Sequence, residues 1–164
     1  MSISETRVML EFVEDPEQKT LEGYRRNGGY QALEKALKTM APADVTEEVV
    51  KSGVRGRGGA GFPAGRKWKF VPETDKPKYL CVNADESEPG TCKDRQIMEH
   101  DPHQLLEGAL LACYAIGAET AYIYIRGEYP HSIKACENAI EEAREAGLLG
   151  RNILGTAFSC DVWV

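Results

Sequence analysis

From residue 78 onward the chain alternates three apolar, strand-like segments (78–82, 121–125 and 157–164) with two strongly helical ones, and this alternation narrows the possible folds more than any other feature. Asp101-Pro102 opens the first helix, predicted to run to Ile116 before Gly117, and Pro130 opens the second, predicted to run to Ala146 before Gly147. Proline costs nothing in a first helical turn, where its missing N–H would have no partner, and glycine readily takes the left-handed cap that ends a helix. Strand, helix, strand, helix, strand with nearly continuous apolar strands is the pattern of a parallel sheet covered by helices. The fold class is therefore α/β. The chain ends inside the third strand-like segment, at Cys160-Asp161-Val162-Trp163-Val164, so the parent protein is expected to continue.

Upstream, Tyr30, Leu33, Ala36, Leu37 and Met40 recur at helical spacing, and Pro42 is read as closing that amphipathic helix. Asp44 and Glu47 resemble a capping box for a short second helix over 45–51, and Gly53 stands where a left-handed cap belongs. Residues 1–29 are polar and broken by Asp15-Pro16 and Asn27-Gly28-Gly29, which predicts an extended arm preceding one α/β domain over 30–164.

A chain of 164 residues is long enough to bury the core of one domain, and its net charge of −6 argues against general nucleic-acid binding. No apolar run approaches a membrane span, so no direct membrane insertion is expected. The start Met1-Ser2-Ile3-Ser4-Glu5 lacks the features of a signal peptide, which makes the cytoplasm the default address. The five cysteines, Cys81, Cys92, Cys113, Cys136 and Cys160, show no Cys-x-x-Cys spacing and are expected to be mostly buried, reduced thiols. His100, His103 and His131 are expected at the surface or at helix caps, with no nucleophile–histidine–carboxylate pattern among them.

Two segments carry the candidate chemistry. Residues 55–68 hold five glycines and four cations in fourteen positions: Gly56, Gly58, Gly59, Gly61 and Gly65 with Arg55, Arg57, Arg66 and Lys67. Glycine lets backbone N–H groups turn inward around an oxyanion, and Arg and Lys add charge and directed hydrogen bonds. Gly56, Gly58 and Gly61 match G-x-G-x-x-G in form, but a dinucleotide fingerprint follows a strand, and here a short helix precedes it. The loop also lacks the Gly-Lys-Ser/Thr ending of a P-loop. Phe62, Trp68 and Phe70 crowd the same stretch, where flat rings beside a phosphate cradle suit a planar heterocycle. The plainer alternatives are a flexible surface loop and, for the aromatics and Trp68 above all, simple packing of the loop onto the core.

The second segment, Asn83-Ala84-Asp85-Glu86-Ser87-Glu88-Pro89-Gly90-Thr91, begins at the carboxyl end of the first apolar strand, where open α/β sheets place ligands. Carboxylates repel phosphate, so Asp85, Glu86 and Glu88 suit ribose or ribityl hydroxyls or a carboxamide. The alternatives are a solvated acidic turn or, less favoured without a nearby histidine, a divalent metal site. Arg126-Gly127-Glu128-Tyr129, after the second strand, reads best as a polar turn.

The two loops together, residues 55–68 and 83–95, closely resemble the FMN- and NADH-binding subunit of respiratory complex I, the flavin subunit of bacterial NADH-quinone oxidoreductases. Leu21-Glu22-Gly23-Tyr24 and Gly28-Gly29-Tyr30 fit the same family. The sequence departs from the family's usual pattern at Ala64 and Arg66, where Thr and Leu are common.

The resemblance implies a Rossmann-like FMN-binding domain in which Gly56, Arg57, Gly58, Gly59 and Lys67 hold FMN, with Asn83 and Asp85 joining from the acidic loop. It implies that Phe62 and Phe70 face NAD(H), that Glu86 and Glu88 lie near the nicotinamide and its ribose, and that Glu86 has the largest influence on catalysis. Family members move a hydride from nicotinamide C4 to flavin N5 and release electrons singly toward quinone. Expected partners are the thioredoxin-like [2Fe–2S] subunit and the iron–sulfur subunit of complex I, at the inner face of the cell membrane. The ligands of the family's [4Fe–4S] cluster are absent from these 164 residues. Two rival readings remain: a diaphorase subunit of an NAD-linked hydrogenase or formate dehydrogenase, and a non-catalytic binding or assembly module.

Overall fold

Prolines and glycines punctuate the chain much as the sequence predicts. In the computed structural model, which describes residues 7–164, Pro102 opens the helix Pro102–Ile116 and Pro130 opens Pro130–Glu145. The strands are β1 (Tyr79–Ala84), β2 (Thr120–Ile125) and β3 (Asp161–Trp163), parallel in the order β1-β2-β3. The helices are α1 (Leu21–Arg26), α2 (Gln31–Thr39), α3 (Pro42–Ser52), α4 (Ala64–Trp68), α5 (Lys93–His100), α6 (Pro102–Ile116) and α7 (Pro130–Glu145). The α/β class expected from the sequence is the class observed.

The sheet buries one face. Ala121, Ile123 and Val162 pack beneath α6 and α7 with Leu106, Leu110, Cys113, Ile140 and Leu148. The alternate residues Tyr79, Cys81, Asn83, Tyr122, Tyr124 and Trp163 are exposed, in register across the strands. The near-continuous apolar strands of the sequence thus hide a period-two burial pattern, because tyrosine and tryptophan count as apolar yet stand on the open face here.

Several boundaries differ from expectation. Residues 1–6 of the expected arm lie outside the described residues, and the remainder is not extended: turns lead into α1, where the Thr20 hydroxyl accepts the Gly23 N–H. This segment is docked by buried polar groups. Glu107 of α6 accepts the Tyr24 hydroxyl and the N–H groups of Tyr30 and Leu33, while Gln18 donates to Asp101 at 3.0 Å. Those partners lie some eighty residues away, which is why local breakers alone suggest an arm. Pro42 opens α3 instead of merely closing α2, and Asp44 caps α3 by accepting the Ala41 N–H at 3.2 Å. The third strand is short because residues 150–160 form a turn closed by the Gly150–Cys160 bridge, with Ile153 buried inside it. Of the cysteines, Cys113, Cys136 and Cys160 are buried and Cys81 and Cys92 are exposed; burial pushes the Cys136 thiol up to about 12. His103, expected at the surface or at a helix cap, lies in the first turn of α6 but is fully buried between the Tyr30 hydroxyl and Glu142.

Candidate functional site

The glycine-rich loop begins where α3 ends. Gly53 takes φ 67° and turns the chain, and the loop then folds back on itself: Gly56 N–H donates to Phe62 O at 3.0 Å and Ala64 N–H to Val54 O at 2.9 Å. This short antiparallel closure makes residues 56–62 a defined loop, and Gly61, at φ 63°, supplies the left-handed turn within it. A helix, not a strand, precedes the loop, as the sequence predicts.

The loop feeds into α4, which the sequence reading missed because five residues are too few to display a period. Its position is fixed by Gly65, packed so closely on α3 that a Cβ there would sit 2.6 Å from the Val50 nitrogen. Lys67 is exposed on this helix, and the Phe62 and Phe70 rings lie 5.9 Å apart, 45% and 68% exposed. Arg55, Arg57, Gly58 and Gly59 are exposed. A Cβ on Gly58 or Gly59 would meet nothing within 4 Å, so this backbone is open to approach by a ligand.

The acidic loop leaves the carboxyl end of β1. Asn83 Oδ1 accepts the Asp85 N–H at 3.2 Å, and the Ser87 hydroxyl donates to Asp85. Glu88 is exposed and Asp85 half-buried. Glu86 differs from both. Its side chain is fully buried, and its backbone adopts φ 45°, unusual for a non-glycine residue. Its carboxylate accepts the N–H groups of Asp94 at 2.7 Å and Arg95 at 3.0 Å, capping α5 where Cys92 offers no side-chain cap. Lys93 Nζ stands 3.7 Å away, and hydrogen bonding to Asp94, with Glu86 adding attraction, holds the Lys93 ammonium above its ordinary range.

The Glu86 carboxylate is thus directed at the start of α5, while Asn83 and Glu88 are exposed and Asp85 is half-buried. Sequence reasoning missed α5 and its cap because the capping carboxylate lies seven residues before the helix begins. It also read Tyr129 only as part of a polar turn, whereas its hydroxyl donates to the Glu86 carbonyl at 3.3 Å. Among the described residues no hydrogen bond or ion pair joins the glycine loop to the acidic loop. A cleft of about 550 Å³ lined by Lys19, His100, His131 and Lys134 touches neither loop.

The donor set fits a phosphorylated planar heterocycle carrying hydroxyls. Open glycine N–H groups and flanking cations suit a phosphate, two exposed rings suit stacking, and carboxylates with an amide suit hydroxyls. Among the described residues no group of three or more His, Cys, Asp or Glu is placed to hold a metal ion. No helix among them is long and apolar enough to cross a membrane.

Comparisons with known proteins agree with that donor set. The chain is 58% identical over 153 residues to an NADH-quinone oxidoreductase subunit of Rhizobium meliloti, covering 93% of this chain and 36% of the relative. It is 53% identical over 157 residues to the corresponding NADH-quinone oxidoreductase subunit of Aquifex aeolicus, covering 96% and 37%. The mitochondrial NADH dehydrogenase [ubiquinone] flavoprotein 1 of Dictyostelium discoideum is 58% identical over 123 residues, covering 73% and 26%. The chain thus spans between a quarter and two fifths of the length of these curated relatives. Among solved structures, an NAD+-reducing [NiFe]-hydrogenase in the H2-reduced state superimposes with a TM-score of 0.63 at 34% identity, over 79% of this chain and 24% of that one. The air-oxidised state gives 0.64 at 29% identity, over 96% and 25%. Residues 49–162, which include both loops, β1, β2 and α5 to α7, match the family model described as the Nuo51 FMN-binding domain, and the chain belongs to that family.

Proposed function

We propose that this chain forms the flavin-holding part of an NADH-oxidising module, in which a hydride passes from NADH to FMN and electrons leave singly for iron–sulfur clusters and quinone. The observation that carries the proposal is the presence on one chain of an open, cationic glycine loop with two exposed rings and an acidic loop at the carboxyl end of β1. The names of its relatives, NADH-quinone oxidoreductase subunits and an NADH dehydrogenase flavoprotein, support the same reading.

In this reading the backbone of Gly56, Gly58 and Gly59, with the Arg57 guanidinium and the Lys67 ammonium, binds FMN, and Asn83 and Asp85 hold its hydroxyls. Phe62 and Phe70 stack on NADH and Glu88 hydrogen-bonds its ribose. FMN supplies the hydride-accepting and electron-dividing chemistry. The side chains orient the two rings, and none has to carry a proton in the hydride step. Glu86, buried and capping α5, acts as a positioning residue for the loop that bears Asp85 and Glu88. The thioredoxin-like [2Fe–2S] subunit and the iron–sulfur subunit are the proposed partners, and the inner face of the cell membrane is the proposed place of work.

A fluorescence titration with FMN tests the assignment. Lys67→Ala and Arg57→Ala are expected to weaken FMN binding by about tenfold each, on the order of 1.4 kcal/mol. Wild-type affinity in both variants contradicts it. The structural likeness to NAD+-reducing [NiFe]-hydrogenase favours a second reading, a diaphorase subunit that exchanges electrons with a hydrogenase. Co-purification with hydrogenase subunits in place of quinone-linked ones would decide for it.

A further inference from the structure

We infer that Tyr129 is a positioning residue that sets the conformation of the acidic loop, acting through Glu86. The inference rests on the flavin-holding reading of that loop. It starts from Glu86, whose left-handed backbone at φ 45° is strained for a side-chain-bearing residue and persists only where its neighbours over-determine it. Two of its hydrogen bonds come from α5, the N–H groups of Asp94 and Arg95 on the carboxylate, beside the Lys93 ammonium at 3.7 Å. The third comes from the turn between β2 and α7, where the Tyr129 hydroxyl donates to the Glu86 carbonyl. Among the described residues this is the sole side-chain hydrogen bond between that turn and the acidic loop.

The ring is held as firmly as the hydroxyl. The Arg95 guanidinium lies 5.9 Å and the Arg126 guanidinium 5.6 Å from its centroid, and the ring is half-buried against the core. Arg95 belongs to the α5 turn that Glu86 caps, and Arg126 lies just past the end of β2 and feels the Asp85 charge. Tyr129 therefore joins the three elements that meet at the carboxyl ends of β1 and β2. The hydroxyl bond at 3.3 Å is long, so cation–π contact and packing supply most of the hold. Pinned this way, the loop keeps Asn83, Asp85 and Glu88 turned outward before a ligand arrives.

Amide hydrogen exchange and FMN fluorescence titration on the wild-type chain, Tyr129→Ala and Tyr129→Phe test this. In Tyr129→Ala the Asp94 and Arg95 amides are expected to exchange about tenfold faster, while amides of α6 and α7 keep wild-type rates. FMN binding is expected to weaken by about tenfold in the same variant. Tyr129→Phe, which keeps the ring between the guanidiniums, is expected to recover most of both. Wild-type exchange at Asp94 and Arg95 in Tyr129→Ala overturns the inference, as does a uniform rise across α6 and α7, which marks a merely structural role. Unchanged FMN affinity in Tyr129→Ala also overturns it. Failure of the wild-type chain to bind FMN contradicts the flavin-holding reading itself, and the exchange rates still decide whether Tyr129 holds the loop.

Discussion

Glu86 and His103 both show how a side chain's partners, not its type, decide its role. The sequence presents Glu86 as one of three outward acids, but two backbone N–H groups of α5 draw it inward. His103 resembles a helix-start histidine, yet it lies fully buried with the Tyr30 hydroxyl on one side and Glu142 on the other. Burial holds its imidazole below the ordinary 6.5, and hydrogen bonding to Glu142 offsets part of that shift. The fold therefore prefers the neutral ring, whereas the unfolded chain takes up a proton near 6.5. This contribution is fully present above that pH and is lost as pH falls through it. Chemical denaturation is expected to show stability declining as pH drops from about 7 to about 5, with a smaller decline in His103→Gln. Asp101 works in the opposite sense at lower pH, since burial holds its carboxyl above 3.8. An equal decline in His103→Gln would assign the effect to other groups.

Gly65 ties the position of the candidate site to the packing of one helix pair. A Cβ at this position meets the backbone of Val50 at 2.6 Å and of Val49 at 2.9 Å, which cannot yield as a flexible side chain would. Gly65→Ala is expected to cost about 1–3 kcal/mol by thermal or denaturant unfolding. Gly58→Ala adds its methyl to open space, so stability is expected to hold while FMN binding weakens. Loss of stability in Gly58→Ala, or none in Gly65→Ala, would contradict this assignment of the two glycines. The elements visible from sequence are those with local signals: α2, marked by its apolar period, α3, marked by Asp44 and Gly53, α6 and α7, marked by Pro102, Pro130, Gly117 and Gly147, and the cores of β1 and β2. The elements missed, α1, α4 and α5, are short and depend on distant partners. Thr20 caps α1 locally, but Glu107 docks it; Gly65 seats α4 on α3; Glu86 caps α5. The candidate loops were legible because glycine and charge cluster in them. The inward turn of Glu86 and the role of Tyr129 were not, since both arise from contacts across the β1 and β2 ends.

Across the whole molecule, buried polar bonds join the N-terminal turns and α1 to α6, while one face of the sheet stays open. Tyrosine labelling by an acetylating reagent reads both features at once. Tyr79, Tyr122 and Tyr124, at 62%, 47% and 61% exposure, are expected to react readily, and the buried Tyr24 and Tyr30 to stay protected. Burial together with the Glu107 charge also raises the hydroxyl pKa of both buried tyrosines well above the ordinary 10, which further slows their reaction. Equal labelling of Tyr24 and Tyr30 would mean that the N-terminal segment does not dock. The exposed loops and open strand ends form a site only in so far as they hold a flavin. The most direct measurement is an anaerobic titration of the wild-type chain with FMN followed by addition of NADH. Saturable FMN binding with bleaching of the flavin absorbance on NADH addition is the expected result. Flavin fluorescence that stays unchanged at every concentration of the chain would contradict the assignment of both loops.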